Sequence, residues 1–170
     1  MGAGVVLDTS FLISLADRGR DHYEAARRYW RHFVEEAIPI FLPTIVVSEF
    51  CVRQPIPPEV LRCCVILPFN WDDAILSAEL DFTQFTGAGE PRGSVKDDIK
   101  IIAQAAICGA LCLISDDADT LLRYVEQLRT EGRIAVRPIS LHEPFDRSHF
   151  DANGQRDFID TMEPPEDEEP

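Results

Sequence analysis

The sequence predicts an α/β fold with a parallel sheet, on three observations. Short continuous apolar runs of strand length recur along the chain, and segments with helical spacing separate them. Those separating segments are long enough to serve as crossovers, which parallel strands require. Carboxylates stand at the ends of apolar runs, where open α/β sheets form their ligand sites. At 170 residues the chain has the size of one domain with a proper core.

The first run, Val5-Val6-Leu7, reads as a strand covered on both faces; it ends at Asp8, and the apolar helix Ser10 to Asp17 follows. Arg20 to Ala37 carries Tyr23, Ala26, Tyr29/Trp30, Phe33/Val34 and Ala37 at helical spacing. Ile38 to Leu42 is the second strand, and Pro43-Thr44 opens a helix through Arg53, since proline suits a first turn. Gln54 to Val60 breaks the chain with three prolines. Cys63 to Phe69 is the third strand, and Asn70 caps a helix reaching toward Gly87. Gly87 to Gly93 is a loop; Ser94 caps a strongly apolar helix closed by Gly109. Ala110 to Ser115 is the fourth strand, Asp116 to Gly132 a helix, and Arg133 to Ile139 the fifth strand. Domain 1–141 is followed by an acidic extension, 142–170, without periodicity and expected to be disordered beyond about 157.

Composition excludes several functions. No apolar run approaches the ~20 residues of a membrane span, and no basic-then-apolar leader opens the chain, so a cytoplasmic protein is expected. The five cysteines form no CxxC pair and read as reduced core thiols; the histidines His22, His32, His142 and His149 are scattered, with no HExxH. Of the net charge of −14, seven charges sit in Asp157 to Pro170, which leaves −7 on residues 1–156. That balance argues against a generally basic nucleic-acid coat and leaves any polynucleotide to local patches or metal ions. The arginines Arg18, Arg20, Arg27, Arg28 and Arg31 read as a solvated face paired with Glu24, Glu35 and Glu36.

The acids are the informative residues. Asp8 either caps the next helix or serves a site at the sheet edge. In the helix after Ser94, Asp97 shares a polar stripe with Lys100 and Gln104, whereas Asp98 falls with Ile101, Ile102 and Ala105 on the apolar side. Glu49 likewise shares a face with Ile45, Val46 and Val52. Asp116, Asp117 and Asp119 crowd the turn after the fourth strand, more acids than a cap requires. Carboxylates converging on one sheet end repel one another, and a hard divalent cation, Mg²⁺ or Mn²⁺, resolves the conflict.

These segments, in this order, resemble the PIN domain family. VVLDTSFLI (Val5 to Ile13) looks like its opening strand, the SEF at Ser48 to Phe50 supplies its glutamate, DDIKIIAQA (Asp97 to Ala105) is similar to its D-x-x-I-x-A-x-A helix with Asp98 first, and LISDDADTL (Leu113 to Leu121) is similar to its T-x-D/N-x-D-F segment. The resemblance implies a single-domain, three-layer α/β/α fold whose five-stranded parallel sheet has the order 3-2-1-4-5. It implies a Mg²⁺- or Mn²⁺-dependent ribonuclease with Asp8, Glu49, Asp98 and Asp117 as catalytic and metal residues, and Asp116 or Asp119 as further ligands. Thr9, Ser10, Ser115 and Lys96 are expected at the carboxylates or the RNA phosphate. Many small members are toxins of toxin–antitoxin pairs, often homodimeric, so an antitoxin protein is an implied partner. Two other readings compete: a catalytically weak PIN-like interaction module, and a haloacid dehalogenase-type phosphatase. The latter needs a second Asp two residues after the first, where this chain has Ser10.

Overall fold

Val5–Leu7, fully buried, form the central strand β1 of a five-stranded, all-parallel sheet in the order β3-β2-β1-β4-β5. The computed structural model describes residues 4–86 and 92–150. After β1 come α1 (Thr9–Ala16) and α2 (Tyr23–Glu35), then β2 (Ile40–Pro43), α3 (Thr44–Cys51), the short α4 (Pro58–Leu61) and β3 (Cys64–Leu67). The second half runs α5 (Trp71–Leu80), a 3₁₀ turn Phe82–Phe85, α6 (Arg92–Ile107), β4 (Cys112–Ser115), α7 (Leu121–Thr130), β5 (Arg137–Ser140) and a 3₁₀ turn Arg147–Phe150. Helices flank the sheet in the expected α/β/α arrangement.

Gly4 has to be glycine, because a Cβ there would lie 2.5 Å from the Phe41 ring and 2.5 Å from the Pro39 carbonyl oxygen. That close approach lets β1 enter beside β2, with Val5↔Ile40 and Val6↔Phe41 in register. On its other side β1 pairs with β4, Leu7 opposite Ile114, so the two strands end together. This is the sheet's switch point, the edge where β1 feeds α1 on one side and β4 feeds α7 on the other. Pro138, which cannot donate to a ladder, sits in the edge strand β5.

α6 buries Val95, Ile99, Ile101, Ile102, Ala103 and Ala105 and stops at Gly109, which adopts φ 71° while the Ala110 N–H reaches back to the Ala105 carbonyl at 3.0 Å. Tyr29 and Phe33 of α2 meet Phe145 and Phe150, so residues 142–150 lie against that helix (Tyr29–Phe145 ring centres 4.9 Å apart). No helix among the described residues is long and apolar enough to cross a membrane.

Several details differ from the expectation. α6 already includes Arg92 and Gly93, so Ser94 lies inside the first turn and is not its cap. α5 stops at Leu80, where Asp81 takes the left-handed conformation, and the following residues form the 3₁₀ turn. The proline-rich break holds α4. Gln104 is buried, donating to the Leu67 carbonyl at 2.9 Å, because the far end of α6 passes beneath the end of β3 and not through solvent. Cys51 and Cys63 are exposed, and only Cys112 is fully buried; all five cysteines are free. The tail beyond residue 150 lies outside the described residues.

Candidate functional site

Asp8 sits between β1 and α1 in an extended conformation and caps α1, its carboxylate accepting the Ser10 N–H at 3.2 Å. It is also one of the few buried charged residues, 7% exposed. The same oxygen, Oδ2, accepts the hydroxyls of Ser10 at 2.7 Å and Ser115 at 2.8 Å. Each hydroxyl in turn accepts a peptide N–H from the turn after β4: Asp116 to Ser10 at 2.8 Å, Asp117 to Ser115 at 2.9 Å. A hydroxyl has one proton to give. Both protons go to Asp8, so the 3.0 Å approach of the two serine oxygens is a contact between acceptors. The cap and the position beside the end of β4 are therefore one arrangement. Burial raises the Asp8 carboxyl above its ordinary range, and the serine hydroxyls oppose the rise.

The other carboxylates arrive from three further segments. Glu49 of α3 accepts the Thr9 hydroxyl, and burial, with Asp8 and Asp97 nearby, raises its carboxyl. The residue as a whole is exposed, contrary to the expected apolar face: α3 has barely two turns, its buried side is Val46 and Phe50, and Val52 beyond its end is 83% exposed. Asp98 of α6 is partly buried, as its helical face requires, whereas Asp97 turns outward to Lys100 at 2.8 Å. Burial, then the charges of Asp8, Asp117, Glu49 and Asp97, push the Asp98 carboxyl up to about 8. Asp117 accepts the N–H of Thr120 at 3.0 Å and its hydroxyl, which ties it to the entry of α7. Among the described residues none of Asp8, Glu49, Asp98 and Asp117 has a Lys or Arg ion-pair partner.

The remaining expected residues lie elsewhere. Asp119 is exposed and is not among the charges acting on Asp98. Lys96 holds its ammonium 5.0 Å from the centre of the Phe82 ring. Asp116 faces His22 and His142, with Nε2 atoms 3.4 and 3.1 Å from its Oδ1. Those two histidines carried no signal in the sequence, being far apart in the chain and in no spacing pattern. Among the described residues, His22, Asp116 and His142 are also the one set of three potential metal ligands whose donor atoms lie within 4.8 Å of one another; no three of the four clustered carboxylates meet that limit.

Beside Thr9 and Glu49 opens a cleft of about 690 Å³, lined on one side by Arg18, Arg20 and Arg53. Arg18 and Arg20 also border a second hollow with Tyr23, Glu24 and Arg27. Three cations beside an acidic cluster set this surface apart from the ordinary paired face the sequence suggested, although Arg27 does pair with Glu24 at 3.0 Å.

No protein-family model matches the sequence, and no curated protein does. Solved structures do match. VapBC2 from Rickettsia felis, bound to a fragment of its promoter DNA, is 16% identical with a TM-score of 0.52, covering 79% of this chain and 97% of that one. DNA-bound VapBC from Salmonella typhimurium is 17% identical with a TM-score of 0.50, covering 82% of this chain and 99% of that one. The sarcin-ricin-loop-cleaving toxin VapC20 of Mycobacterium tuberculosis is 17% identical with a TM-score of 0.49, covering 79% and 100%. At such identities the likeness is one of architecture, and with strand order 3-2-1-4-5 the chain has the PIN-like α/β/α fold.

Proposed function

We propose that this protein is a divalent-metal-dependent endoribonuclease of the cytoplasm, the toxin of a toxin–antitoxin pair, cutting RNA phosphodiester bonds at Asp8, Glu49, Asp98 and Asp117. The observation that carries the reading is that Asp98 feels the charges of Asp8, Asp117 and Glu49 from three other segments, none of the four having a Lys or Arg ion pair among the described residues; burial first, and then those charges, push the Asp98 carboxyl up to about 8. The donor set is oxygen only, which suits Mg²⁺ or Mn²⁺, and an ion that keeps several waters does not need three carboxylates packed around it. Such an ion would supply an activated water and neutralise charge on the phosphate.

The chain's own groups prepare that chemistry. Ser10 and Ser115 fix the Asp8 carboxylate by two hydroxyl bonds, and Thr9 holds Glu49. Thr120 orients Asp117 beyond the end of the neighbouring strand β4. Arg18, Arg20 and Arg53 offer phosphate-binding donors along the adjoining cleft, so the net charge of −7 on residues 1–156 coexists with a local basic wall. The antitoxin partnership extends to this chain what the VapBC neighbours are named for. The second reading, a PIN-like interaction module without turnover, draws on that same acidic body charge.

The test is cleavage of a labelled RNA by the full chain with Mn²⁺. Wild type is expected to cut and to stop on chelation, and Asp8→Asn to lose activity by roughly 10²-fold or more with an unchanged circular dichroism spectrum. Full activity in Asp8→Asn sinks the assignment; no cleavage by wild type favours the interaction module, and hydrolysis of a phosphomonoester in place of RNA favours the phosphatase.

A further inference from the structure

We propose that His22, Asp116 and His142 form a second metal site, for a first-row transition ion of the zinc type, distinct from the acidic cluster and independent of the ribonuclease reading.

Three observations converge on it. Nε2 of His22 and Nε2 of His142 lie 3.4 and 3.1 Å from a single oxygen, Asp116 Oδ1. That oxygen is buried and makes no hydrogen bond of acceptable geometry, so its only close polar neighbours among the described residues are the two imidazole nitrogens. The second oxygen, Oδ2, accepts the hydroxyl of buried Ser14 at 3.2 Å, which is how ligating carboxylates are oriented. His22 occupies the N-cap of α2 yet makes no capping bond with its side chain; the imidazole goes to Asp116 instead.

The donors select the ion. Two imidazoles and one carboxylate suit Zn²⁺ and its neighbours and disfavour Mg²⁺, which prefers oxygen throughout. Three protein ligands leave a fourth position open, the pattern of a zinc site that takes water or a substrate oxygen. Capture requires one rearrangement. The rings stack with centres 4.3 Å apart and planes 19° apart, so both lone pairs do not yet aim at one point. His142, with 53% of its side chain exposed, is the ring with room to turn. Its Nε2 now lies 2.9 Å from the Asp116 carbonyl oxygen; to ligate there the neutral ring carries its one proton on Nδ1, and a protonated ring would release one proton to solvent.

Metal-stripped full-length protein is titrated with Co²⁺ and then Zn²⁺. The expected result is one equivalent of Co²⁺ giving visible d–d absorption without a sulfur charge-transfer band, displaced by equimolar Zn²⁺. His22→Ala and His142→Ala should each weaken binding by at least roughly 100-fold, since loss of even an outer-shell partner costs about 10–100-fold. His32→Ala should bind as wild type does and Asp8→Asn should keep the d–d absorption of the histidine site, with circular dichroism showing every variant folded. No binding by wild type, a thiolate band, undiminished binding by the two histidine variants, or equal loss in Asp8→Asn would each overturn the proposal. The last outcome assigns the ion to the acidic cluster; RNA cleavage with Mn²⁺ is measured separately, so the two readings fail separately.

Discussion

Asp98 binds its proton more tightly in the folded chain than in the unfolded one, because burial and four neighbouring carboxylates oppose its ionisation. Between the ordinary aspartate range and about 8, the native state therefore holds a proton that the unfolded state has lost, and stability falls as pH rises through that window. Chelator-treated protein is expected to melt at a higher temperature at pH 5.5 than at pH 8, and Asp98→Asn to flatten the difference; equal slopes in differential scanning calorimetry would remove Asp98 from the cluster. Asp98 was legible in the sequence because a helix assigns its residues to faces, which separated it from Asp97. The Asp116-Asp117 doublet was not, since a turn has no period: Asp117 joins the charges acting on Asp98, and Asp116 faces two histidines. That pair is made by tertiary structure alone.

Elements announced themselves where local chemistry starts or stops them. Asn70 caps α5 through the N–H groups of Asp72 (2.9 Å) and Asp73 (3.2 Å), while buried Asp73 returns a bond to the Asn70 N–H at 2.8 Å. This capping box is local enough to be read from the chain, and Asn70→Ala is expected to cost about 1 kcal/mol in urea unfolding. A change within error would mean that α5 is held by packing alone. The apolar run of β3 carries no such mark of its place: at the sheet edge Val65 is 47% and Ile66 42% exposed, and nothing within the run records which strand lies beside it.

For the molecule as a whole, the order 3-2-1-4-5 followed from the family resemblance and not from periodicity, and it is what brings the ends of β1 and β4 together. Net charge averages over a surface on which Arg18, Arg20 and Arg53 share one cleft, the kind of local patch that the acidic balance left open. Arg18→Glu with Arg20→Glu, in an Asp8→Asn background that does not cut, is expected to weaken binding of single-stranded RNA. The salt slope of log affinity should fall by about 0.7 for each phosphate that the variant no longer neutralises. Fluorescence anisotropy at several salt concentrations measures both, and an unaltered slope would place the RNA elsewhere.

The serine pair around Asp8 also decides where a proton can land. Three donors already crowd Oδ2, and reversing either hydroxyl would turn it against the peptide N–H it accepts. A proton arriving at Asp8 therefore meets three donors at Oδ2, and the divalent cation we propose there would compete with that proton for the rest of the carboxylate.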